Sequence, residues 1–90
     1  PMSNHFRAYE AQMNITWNGQ NGDLPDPVPF DASDAELVRI AQEAVASGSV
    51  PGIRGGRAHL RGFVVDRYAA TRDTPYNRVF VRPKTPFGAR

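Results

Sequence analysis

The sequence predicts an α+β domain in which one helix packs across one face of a mixed sheet of four or five strands. Three observations predict it. Segment 31–48 has a helical period with a start and a stop. Segments 13–18 and 76–82 alternate apolar and polar residues, the period of a half-buried strand. Two Asn-Gly pairs, at 18–19 and 21–22, follow the first of these segments and supply hairpin turns.

Taken in order, residues 1–12 carry no clean period and form an N-terminal arm, within which Phe6 and Tyr9 fit a helical turn. Pro1, ahead of Met2, reads as a residue left by tag removal. In the first strand Met13, Ile15 and Trp17 share one face, and Asn14, Thr16 and Asn18 the other. Residues 24–30 then place prolines at 25, 27 and 29. Alternate N–H groups of a strand point to the same side, so all three missing donors fall on one side. That pattern predicts an edge strand whose outer side is blocked against further pairing, with Leu24, Val28 and Phe30 on one face.

The helix follows. Ser33 is placed as N-cap with Glu36 three residues on, so hydroxyl and carboxylate can each bond the other's backbone N–H. Asp34 and Glu36 add negative charge at the positive end of the helix dipole. Leu37, Ile40, Ala41, Ala44 and Val45 fall on one face. Gly48 suits a left-handed closing position, and Pro51 stops continuation. Residues 49–62 form a glycine-rich basic loop, expected to be flexible. The apolar run Leu60, Phe63, Val64, Val65 marks a strand within 59–68, and 71–75 is a turn. In the last strand Val79 and Val81 point inward while Arg78, Phe80 and Arg82 point outward. Pro83 ends it, and 83–90 is an extended, mobile C-terminal tail. The domain proper spans 13–82.

Ninety residues allow one small core, burying about two-thirds of the unfolded surface or less. Without cysteine there is no disulfide, thiolate nucleophile or Cys-ligated zinc. With no apolar run long enough to span a bilayer and none resembling a signal peptide, a cytoplasmic location away from membranes is expected. His5 and His59 lack ligand spacing, and Asp23, Asp26 and Asp31 sit among prolines that do not fit a calcium loop. No metal, no cofactor and no catalytic set is therefore expected, and the chain is not read as an enzyme. The net charge of +2 divides unevenly: residues 1–48 hold seven acids against two arginines, and 49–90 hold nine bases against two acids. Such a split either steers an acidic partner or lets the two halves attract each other.

The order strand, strand, helix, strand, strand, with a tail carrying a glycine, resembles the ubiquitin-like β-grasp proteins, closest to bacterial ubiquitin-like modifiers. The resemblance covers most of 13–88 and rests on element order. It implies that the first strand lies beside the last, and that Gly88 is the conjugated residue. Ala89 and Arg90 would then be a processing extension, with Arg82, Lys84 and Phe87 contacting the enzymes that handle the tail. Here the tail holds one glycine, preceded by Phe87, where the familiar modifiers have two. The implied partners are activating, conjugating and peptidase proteins and the target proteins, with the chain itself a monomer. Glycine, lacking a Cβ, would pass a narrow channel, and Pro83 and Pro86 would keep the tail extended.

Two other readings stay open on the residues alone. A small nucleic-acid-binding module would use Arg54, Arg57, Arg61, Arg67, Arg72 and Arg78 with Tyr68, Tyr76 and Phe80, although the acidic half opposes it. A non-conjugating adaptor would bind proteins through its surface.

Overall fold

The computed structural model describes residues 6–84. It is an α+β domain with strands β1 (Glu10–Trp17), β2 (Gln20–Asp23) and β3 (Val28–Pro29), helix α1 (Asp34–Ala46), and strands β4 (Val64–Tyr68) and β5 (Asn77–Arg82). The five strands form one mixed sheet in the order β2-β1-β5-β4, and β3 pairs with β1. The first and last strands lie side by side and parallel, Ala11 beside Asn77 and Ile15 beside Val81. The other pairings are antiparallel.

Alternation sets which face each strand buries. Ala11, Met13 and Ile15 of β1 and Val79 and Val81 of β5 are fully buried on one side. Leu37, Ala41, Ala44 and Val45 of α1 are buried in the same core. Ile40, expected in the helix stripe, is only partly buried. It lines a surface groove with Leu24, Val28 and Ala44 instead.

The helix begins as expected, with the Glu36 amide donating to Ser33 Oγ at 3.1 Å. The Glu36 carboxylate does not serve the reciprocal bond of a capping box. Arg39 forks it, through Nε at 3.1 Å and Nη2 at 2.6 Å. These hydrogen bonds hold the Glu36 pKa below the ordinary glutamate value and raise that of Arg39. At the other end the Ser49 amide donates to Ala44 O and the Gly48 amide to Val45 O, the paired bonds of a Schellman closure.

Three boundaries differ from expectation. β1 starts at Glu10, not at 13, so the arm expected over 1–12 loses its last three residues to the sheet. Ala11 extends the alternation of Met13 and Ile15, and it has partners on both sides, Val28 and Asn77. The edge expected over 24–30 is split. Asn18 and Gly19, both at positive φ, make the two-residue turn into β2. Asn21-Gly22 is therefore strand, not a second turn. The Leu24 amide reaches Met13 O and the Phe30 amide reaches Tyr9 O. Between them Pro25, Asp26 and Pro27 stand outside the ladder, where a missing N–H costs nothing, and only Pro29 is in a strand. The strand expected from 59 begins at Val64, because the Phe63 amide closes a turn onto Leu60 O.

The loop 49–62 is packed, not loose. Val50, Ile53, Ala58 and Leu60 are all buried in the core cluster. Its backbone lies against its neighbours so closely that a Cβ on Gly22 would sit 2.1 Å from Pro51 O. One on Gly55 would sit 2.6 Å from Gly48 Cα. Gln42 fixes the far end by accepting from the Leu60 amide at 2.9 Å.

Asn77 is a buried polar residue at the head of β5. Its Nδ2 donates to Ala8 O at 2.8 Å and Glu10 O at 3.0 Å, while its Oδ1 accepts from the Ala70 amide. One side chain thus fastens the entry to β1 and the turn before β5.

Candidate functional site

The helix covers one face of the sheet, and the residues of opposite parity form the other. Register determines what meets there. On the β1–β2 side Asn14 stands opposite Asp23, and Thr16 opposite Asn21. The Asn14 amide donates to Asp23 Oδ1 at 2.8 Å and exchanges bonds with Asn21, which also donates to Thr16 Oγ1. That half of the face satisfies its own polar groups.

The β4–β5 half is built differently. Antiparallel pairing sets Tyr68 opposite Arg78, Asp66 opposite Phe80, and Val64 opposite Arg82. Asp66, Tyr68, Arg78, Phe80 and Arg82 line a groove of about 330 Å³. Tyr68 and Phe80 meet edge to face with ring centroids 5.5 Å apart. The Arg78 guanidinium lies over both rings, 5.5 Å from Tyr68 and 5.6 Å from Phe80. Its Nε is shielded from solvent and donates to nothing among the described residues. Arg82 is already engaged: its Nε and Nη2 both reach Asp66 Oδ2 at 2.8 Å.

The residues expected to act fall into separate places. Gly88, Ala89, Arg90 and Phe87 lie outside the described residues. Lys84 is exposed just past Pro83, and Arg82 closes β5 with its guanidinium turned onto Asp66. The chain leaves β5 at the end of the sheet where β1 turns into β2, because the two strands run parallel. The arginines that the nucleic-acid reading would use are dispersed. Arg67 binds Phe30 O and the Asp34 carboxylate, a link between the basic and acidic halves. Arg54, Arg57, Arg61 and Arg72 are exposed on loops. Tyr76 stacks on Phe6, away from the groove. His59 is exposed, and among the described residues no group of three or more His, Asp or Glu side chains is placed to hold a metal. No described helix is long and apolar enough to cross a membrane.

The cluster of Asp66, Tyr68, Arg78 and Phe80 was not legible as one site from the separate segments. A turn over 71–75 joining two antiparallel strands does set positions 66 and 68 opposite 80 and 78. That pairing is the signal that would have found it. No family model, no curated protein and no solved structure matches the chain.

Proposed function

We propose that this chain is a ubiquitin-like β-grasp protein, a modifier of a bacterial conjugation system that acts through Gly88. The observation that carries the reading is the topology. A hairpin opens the chain, one helix crosses one face, and the last strand enters parallel to the first, in the order β2-β1-β5-β4. Beyond β5 and Pro83 the sequence has no fold period and holds a single glycine, Gly88.

On this reading the domain is a handle and the chemistry belongs to its partners. A peptidase hydrolyses the amide between Gly88 and Ala89. Water supplies the hydroxyl to the Gly88 carbonyl and the proton to the leaving amine. An activating enzyme then uses ATP to make that carboxylate electrophilic, and a nucleophile on the next protein attacks its carbonyl. Gly88 serves by having no Cβ to obstruct a narrow channel. Arg82, Lys84 and Phe87 supply charged and apolar contacts to the enzymes.

The test is to mix the chain with the candidate enzymes encoded beside its gene and ATP, and to weigh the products. A species ending at Gly88 and a covalent adduct through Gly88 are expected. Gly88→Val should fold with an unchanged melting temperature and give no adduct. The reading fails if Ala89 stays attached under all conditions and a chain cut at Gly88 forms no adduct.

A second reading, a β-grasp adaptor that binds proteins without conjugation, is favoured by the aromatic and guanidinium cluster of Tyr68, Arg78 and Phe80 on the uncovered sheet face. The nucleic-acid reading draws less support, since Arg67 is committed to Asp34 and Phe30 O and its other arginines are scattered.

A further inference from the structure

We infer that the groove between β4 and β5 docks an extended acidic segment of a partner protein, with one carboxylate forked by Arg78 and the apolar side chain two residues away laid on Tyr68. The inference does not rest on transfer through Gly88, since the groove lies within the sheet.

Charge complementarity commits the groove to a carboxylate. Its lining carries two guanidinia and one carboxylate, Arg78 and Arg82 with Asp66. Asp66 is neutralised by Arg82, which spends Nε and Nη2 on one of its oxygens. Arg78 is left with a formal charge that no described carboxylate offsets, and with a shielded Nε–H that donates to nothing. A carboxylate can fork the guanidinium end-on, through its two Nη groups, in the planar geometry that arginine favours. The two rings hold the guanidinium in place beforehand, so little freedom is lost on binding. Tyr68 is 50% exposed and provides apolar surface beside the charge.

A nucleic acid fits less well. Base stacking on the ring faces that Arg78 covers would have to displace the guanidinium. A groove of net charge +1 matches one carboxylate but not the repeated charge of a phosphate chain, which Asp66 would also repel.

The test is a nuclear magnetic resonance titration of the full chain with three probes. The first is an acetylated, amidated pentapeptide, serine-leucine-serine-glutamate-serine, which sets its leucine and its one glutamate on the same side when extended. The second replaces the glutamate with glutamine, and the third is a thymidine decanucleotide. The glutamate peptide is expected to shift the Arg78 side-chain N–H and the Tyr68 and Phe80 ring signals. Its affinity should exceed that of the glutamine peptide by roughly fivefold or more, and should fall as salt is raised. Arg78→Gln should abolish the preference while the rest of the spectrum stays that of the folded protein. Arg78→Lys should retain only part of it, because an ammonium cannot fork a carboxylate. Equal shifts with the two peptides, shifts confined to other residues, or tighter binding of the oligonucleotide at this groove would each overturn the inference.

Discussion

The two faces of the sheet are made from the same strands and follow opposite rules. Toward the helix, Met13, Ile15, Val79 and Val81 are fully buried against Leu37, Ala41 and Val45. At the alternate positions of the same strands, the side chains are Asn14, Thr16, Arg78 and Phe80, none of them fully buried. The first face is apolar and close-packed, and a change there is felt as lost burial. The second divides again: a self-satisfied amide network on β1–β2, and a cation over two rings on β4–β5. The difference separates residues that hold the fold from residues free to meet a partner.

That separation can be broken most forcefully at Leu37. It is fully buried at the start of the helix stripe, and Leu37→Ala should cost about 2–5 kcal/mol in chemical denaturation. Ile40→Ala, at the partly buried edge of the same helix, should cost clearly less. Equal losses at the two positions would mean that the helix is rotated from the orientation described. Asn77→Ala comes next. It strips hydrogen bonds from Ala8 O, Glu10 O and the Ala70 amide, and should cost roughly 1–3 kcal/mol. Its hydrogen-exchange signature should be faster exchange at Ala70 and at the start of β1. Ser33→Ala removes the cap bond to the Glu36 amide and should cost about 1 kcal/mol. The smallest change in stability is expected on the open face. Arg78→Gln should change the unfolding free energy by no more than about 0.5 kcal/mol, although it removes the groove's guanidinium that pairs with no described carboxylate. A large loss there would show that the open face also holds the fold.

The same contrast explains what could be read in advance. The helix, β5 and most of β1 were legible because their signals are local: a capping serine, a 3.6-residue stripe, strict alternation. The parallel neighbouring of first and last strands followed from element order and is present. The loop 49–62 was not legible. Val50, Ile53, Ala58 and Leu60 have no common period, and they are buried because a long-range fit brings Pro51 against Gly22 and Gly55 against Gly48. The proline edge was legible in half. The Leu24 and Phe30 amides do face β1, but nothing in the spacing says that 25–27 leave the ladder. On the open face the residues of the groove were visible singly. Their grouping depends on the register of β4 against β5, and the capture of Arg82 by Asp66 follows from that register.

The central claim is that the fold is a carrier and that the work is done past its last strand, at Gly88. The most direct measurement is the mass of the chain and of its covalent partners recovered from the cells that make it. The account predicts a mature form ending at Gly88, together with branched peptides in which the Gly88 carbonyl is joined to an acceptor on another protein. Recovery of the chain solely in forms that retain Ala89, with no covalent partner, would contradict it.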